Sequence, residues 1–316
     1  MLRTLLYGIL AALFFSTTFL LNRIISQEGG HWLWSAVLRY SYVLIFLLIG
    51  MTLSGHAALV RAAFSIYRQH WLFWTVTGSI GMGIFYSTIC FSAAYAPSWV
   101  IAATWQSTIL ITPLVLMCFG RTVPLKGYAF ALLVFLGVIL INFEHASETS
   151  LNQALLGAIP AFISACAYPV GNQLVWEARK GERFKNWIPH IKNPELENSF
   201  CKILVLTLGS IPFWVILTLM TAPPPPTHSQ LYHTALIALN SGIIAYALFL
   251  LARHRARNSF EITAVDATQA FEAVFTLIGE IVLLHAAIPS LISFIGIGLI
   301  ILGVFSYSLF QATHSQ

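Results

Sequence analysis

The 316-residue chain is 58% hydrophobic and 9% charged, with a mean hydropathy of +0.80. A soluble globular domain carries about 25% charged residues, so most of this chain must dissolve in lipid. The net charge of +5 resides largely in short loops between apolar runs, which argues against nucleic acid as a partner.

The first apolar run, Leu5 to Ile25, follows Arg3 in the manner of a signal sequence. It lacks a small-residue cleavage site and is followed by many similar runs, so it reads as a retained span. A window of roughly 20 residues predicts ten spans. The first half gives about 4–25, 33–54, 71–94, 98–119 and 126–143; the second gives about 154–176, 201–221, 233–252, 262–285 and 289–311. Backbone polar groups must be satisfied internally in lipid, so each span is expected to be a helix. The fold class is an all-α polytopic membrane protein.

Lys and Arg set the expected orientation. With the N-terminus in the cytoplasm, fourteen of the sixteen basic residues fall on the inner side, leaving Arg23 in an outer loop and Arg39 inside a span. Both termini are therefore expected on the cytoplasmic face of a bacterial inner membrane. The outer segment 144–150 is acidic, and 221–233 contains Pro223 to Pro226 and no Asp, Glu, Lys or Arg. The stretch 61–70 is expected to form a short interfacial helix. The segment 177–200, with Pro189 and Pro194, reads as a cytoplasmic linker between halves. The four cysteines have neither metal-ligand spacing nor an evident disulfide role, and no cofactor motif is present.

The halves resemble one another. Each opens with Leu and Gly (Leu6, Gly8; Leu156, Gly157) and ends with a Gly-rich span, around 133–141 and 297–307. One transmembrane domain, 1–316, thus divides into a five-helix repeat at 1–150 and a second at 151–316. An odd number of spans per repeat inverts the second against the first, a plan that places a solute site near the midplane.

The ninth span is apolar yet carries Asp266, Glu272 and Glu280. A carboxylate at the bilayer centre costs at least ~2.5 kcal/mol. At about 100° per residue, these acids share one face with Gln269 and Thr276, and that face should border protein or water. Burial favours the neutral acid, so Glu272, the deepest, is expected to exchange protons. Asp266 also fits a plain helix start, favoured by the N-terminal dipole. The fourth span offers Trp105 and Gln106 on the opposite wall. Arg39 and Glu280 lie at similar depths and are expected to form a gating or structural ion pair. Pro113, Pro160, Pro169 and Pro212 are expected to kink their helices. Trp71, Trp74, Tyr95 and Trp99 read as interfacial belt residues. Phe85, Tyr86 and Trp105, set deeper, could stack on a flat or cationic solute.

Ten spans in two repeats resemble the drug/metabolite transporter superfamily of EamA-type carriers. FFSTTFLLNR at 14–23 and GGHWLWSAVLRY at 29–40 look like the opening of its multidrug-resistance efflux branch. Phe271-Glu272-Ala273-Val274 resembles the branch's Leu-Glu-Pro-Val pattern, and Thr112-Pro113-Leu114 its partner in the fourth span. The resemblance implies a secondary carrier with a central cavity walled by the first, third, fourth, sixth, eighth and ninth spans. The sequence departs from the pattern at Ala273, where the family has proline. It also lacks the acidic residue that commonly ends spans four and nine.

The expected function is proton-coupled export of small amphipathic, aromatic or cationic molecules by alternating access. Glu272 would carry the proton, and Gln269, Thr276, Trp105, Gln106 and Tyr86 would line the solute site. The alternative is an uncoupled facilitator or channel for a small metabolite such as an amino acid. An intramembrane enzyme is disfavoured. Asp266 is the only aspartate, the histidines lie in loops or at span ends, and no ATP-binding motif is present. The expected partners are a small solute, a proton or other coupling ion, and the lipid bilayer.

Overall fold

The structure, a computed structural model, describes residues 2–120, 125–180, 184, 187–255, 265 and 267–314. Among them there are helices and connecting turns and no strand. In chain order the helices are α1 (Leu2–Gln27), α2 (Trp32–Leu53), the short α3 (Ala57–Gln69) and α4 (Trp71–Ser92). They continue with α5 (Ser98–Trp105), α6 (Thr108–Cys118), α7 (Leu125–Glu148), α8 (Leu151–Lys180) and α9 (Ser199–Thr221). Then come α10, built from His228–Leu239, Asn240–Ala245 and Tyr246–Arg255, followed by α11 (Phe271–Leu284) and α12 (Leu291–His314).

Eight stretches are long and apolar enough to cross a membrane, and they fall on the first eight predicted spans. Part of the ninth predicted span lies outside the described residues, Asp266 included; the rest is a 3-10 turn at Thr268–Ala270 running into α11. The tenth corresponds to α12, whose apolar part is Leu291–Ser306.

Local chemistry sets several boundaries. Asn198 caps α9 by accepting from the backbone of Phe200 and Cys201 at 2.9 and 3.2 Å. Thr227 does the same for α10 through Gln230 at 3.1 Å. Gly29, at φ 79°, takes the left-handed turn that ends α1. Exposed Leu, Ile and Phe recur every three or four residues, as Leu132, Leu136, Ile139 and Phe143 on α7 and Leu151, Leu155, Ile159 and Ile163 on α8. Such a stripe suits lipid.

Small residues hold the bundle together, as they must where lipid removes the hydrophobic drive between helices. Gly78 of α4 lies on the backbone of Leu206 and Gly209 in α9, and Gly81 of α4 lies on Gly171 of α8. Gly137 of α7 and Gly296 of α12 sit on each other's carbonyls. Gly8 of α1 meets Thr268, and Gly157 of α8 meets Ala96 just before α5.

Two expectations need correction, those for the tryptophans and for the 177–200 segment. Pro160, Pro169, Pro113 and Pro212 all lie within continuous helices. Departures from the α-helical pattern fall at two π segments, Ser79–Ile84 in α4 and Asn240–Ala245 in α10, and at the turn between α5 and α6. Proline is tolerated in buried membrane helices because neighbours re-satisfy the freed carbonyl. A π turn requires an extra residue, which a proline count does not register. Trp74 is not a belt residue: it is fully buried, with its carbonyl against Gly209, whereas Trp71 is 59% exposed. Trp99, too, is buried. The 177–200 segment is more than a tether. Ile191 N–H donates to Ala178 O at 2.7 Å, and Ile191 and Leu196 are buried in a core shared with α2, α3, α4 and α9.

Candidate functional site

Two turns between helices come together within the bundle. The turn Gln106–Ser107 separates α5 from α6, and the 3-10 turn Thr268–Ala270 precedes α11. Gln106, buried, donates from Nε2 to Gln269 O at 3.4 Å, so the two walls named by the sequence do meet. Glu272 lies in the first turn of α11 and is 7% exposed. Its carboxylate accepts no hydrogen bond among the described residues. Thr276 is fully buried and gives its hydroxyl to Glu272 O at 2.6 Å, which leaves little for a solute.

Arg39 sits about a third of the way along α2. Its Cζ lies 4.0 Å from the Tyr86 ring centroid, and Nη2 donates to Ser241 Oγ at 3.0 Å. Tyr86 is fully buried and accepts from Asn22 Nδ2 at 3.0 Å, while Tyr40 meets it edge-on at 5.7 Å. Residues of α1, α2, α4 and α10 thus converge on one guanidinium. Ser241 belongs to one π segment, and Tyr86 lies two residues beyond the end of the other. Arg39 and Tyr86 stand out in the sequence, but their partners Asn22, Tyr40 and Ser241 do not, because a lone Asn, Tyr or Ser in an apolar span gives no pattern.

The expected Arg39–Glu280 ion pair is not formed. Glu280, 3% exposed, accepts from Ser98 Oγ at 2.5 Å and from Trp99 N–H at 3.1 Å, capping α5 from the side. Arg23 of α1 donates to Ala93 O, just before α5, at 2.9 Å. Depth along a helix says nothing about azimuth. α11 packs on α1 and α5, whereas Arg39 faces α4 and α10. Glu280→Ala should therefore cost about 2–3 kcal/mol through two orphaned donors. Glu280→Gln, which keeps an acceptor oxygen, should cost about half that. Thermal unfolding in detergent checks the order; equal losses would contradict the capping role.

Trp105 joins Phe85 and Tyr168 in a triad with centroids 5.1 to 5.3 Å apart, drawn from α5, α4 and α8. A hollow of about 800 Å³ opens between the ends of α4, α6 and α8, with Phe184, Trp187 and Pro189 on its rim; Trp71, Phe73, Phe119 and Leu174 also line it. A second, of about 300 Å³, lies between α2 and α9 beside Tyr40 and Trp214. Neither reaches Glu272. Sequence reasoning also passed over Glu177, buried in α8 and accepting from Gln173 Nε2 at 2.9 Å.

The family model described as "Putative multidrug resistance efflux transporter" (EmrE) matches residues 2–313. The chain belongs to this family. Family membership makes it a transporter-type integral membrane protein acting on small molecules. "Uncharacterized protein YjlA" of Bacillus subtilis is 35% identical over 96% of this chain and 93% of its own length. An "Uncharacterized 42.1 kDa protein in intracellular alkaline protease 3'region" of Shouchella clausii is 34% identical over 81% of this chain and 66% of its own. A solved crystal structure with 18% identity matches with a TM-score of 0.61, covering 99% of this chain and 98% of that one. That last similarity bears on the fold alone.

Proposed function

We propose that the protein is a proton-coupled secondary carrier that exports small amphipathic or aromatic molecules across the inner membrane. It would work by rocking two inverted five-helix repeats, 1–150 and 151–316, around Glu272. The observation that carries this reading is Glu272 itself: a buried acid with no partner among the described residues, set at the meeting point of two broken helices. A structural carboxylate would be paired, as Glu280 is; an acid that must gain and lose a proton is better left unpaired.

The packing supports the repeat plan. The π segments start 161 positions apart, at Ser79 and Asn240. Exchanging α1 with α8, α2 with α9, α4 with α10 and α5–α6 with α11 maps several of the main contacts onto one another. The α1–α10 pairing becomes α8–α4, α2–α10 becomes α9–α4, and α7–α12 maps onto itself. Gln269, Gln106 and Trp105 would line the path, with Arg39 and Tyr86 beside it; Glu280 holds the α5–α11 corner.

The test is uptake of a panel of amphipathic solutes into proteoliposomes with and without an imposed pH gradient. Inside-out molecules with an acidic lumen should accumulate solute against its gradient. Equal flux with and without the gradient would replace the carrier with an uncoupled facilitator.

A further inference from the structure

We infer that Arg39 is the binding point for an anionic group on the transported molecule, so that the solute class is an aromatic or amphipathic carboxylate rather than an organic cation. This deepens the carrier reading and rests on it for the word "transported", though not for the binding itself. A guanidinium within a span is costly and is ordinarily neutralised by a carboxylate. Arg39 has none within ion-pair distance among the described residues, although Glu280 lies at a comparable depth and is engaged elsewhere. Of its five N–H donors, one reaches Ser241 Oγ, the plane rests on Tyr86, and Nε is buried without an acceptor. The residue as a whole is part-exposed, whereas its Nε is buried.

A planar fork with unused donors matches a carboxylate. The surroundings specify the rest of the ligand. The Tyr86 centroid is 4.0 Å from Arg39 Cζ and 6.0 Å from the Phe85 centroid, and Phe85 opens the triad with Trp105 and Tyr168. An anion at Arg39 therefore has an aromatic wall within one small molecule's reach. A cationic solute would meet an uncompensated positive charge instead.

The test uses two probes with the same ring system and opposite charge, indole-3-acetate and tryptamine. Equilibrium binding to the full chain in detergent would be measured for wild type, Arg39→Gln and Arg39→Lys, with the unfolding midpoint of each as a folding control. Wild type should favour indole-3-acetate. In Arg39→Gln the ratio of the two affinities should fall roughly tenfold to a hundredfold, the worth of a hydrogen bond to a charged group. Arg39→Lys, which keeps the charge without the fork, should fall between. A wild type that binds neither probe, binds both equally or favours tryptamine overturns the inference, as does an equal loss of both probes in Arg39→Gln. Because binding needs no gradient, failure of proton-driven uptake would leave this result readable. Intact uptake without charge selectivity would remove the inference and spare the carrier.

Discussion

Glu272→Gln is expected to abolish gradient-driven accumulation while leaving downhill exchange of solute intact. The amide has nearly the volume and hydrogen-bonding shape of the protonated acid but cannot release a proton. A pH difference of one unit is worth ~1.4 kcal/mol per proton, enough for about tenfold accumulation of a neutral solute. The variant should show a ratio near one under the same gradient, and counterflow of labelled against unlabelled solute should persist. Its unfolding midpoint should equal or exceed that of wild type, because a carboxylate without partners adds a desolvation cost to the folded state. An accumulation ratio unchanged by the substitution would move the coupling site away from Glu272.

Gly209→Ala is expected to damage the fold more than any other single methyl addition among the described glycines. A Cβ at position 209 would lie 2.1 Å from Trp74 O and 2.7 Å from Trp74 C, both backbone atoms that no rotamer change can move. Alanine's better helix propensity returns about 1 kcal/mol. Forcing two helices apart costs about 1–3 kcal/mol, and more when backbone must shift, so the clash prevails. Gly50→Ala is the control, since nothing lies within 4 Å of that position and the helix-propensity gain should appear unopposed. Thermal unfolding of both variants in detergent decides it. A Gly209→Ala protein as stable as Gly50→Ala would mean that α4 and α9 are not in close contact. Since α4 also carries Ser79–Ile84 and Tyr86, displacement there should weaken solute binding as well.

What the sequence reveals is sharply divided by scale. Span positions were legible because twenty apolar residues in a row have few other uses, and the first eight predicted spans coincide with eight long apolar helices. The meeting of Gln106 with Gln269 was legible in outline from polar residues in two otherwise greasy spans. Side-chain pairing was not. Depth placed Arg39 level with Glu280, but Glu280 serves Ser98 and Trp99 while Arg39 rests on Tyr86. Only the rotation of each helix about its own axis distinguishes these outcomes, and an apolar span with few polar letters encodes that rotation weakly. The π segments escaped for a related reason: glycines at 81, 83 and 242 permit an extra residue in the turn without announcing it.

The contact between Gly137 and Gly296 has a mechanical consequence. Two helices packed glycine on glycine resist being drawn apart, so under the proposed rocking α7 and α12 would serve as the axle around which the other helices turn. Spin labels or fluorophores on this pair should hold one distance through the whole cycle, giving a fixed ruler against which the travel of α4 and α10 can be read.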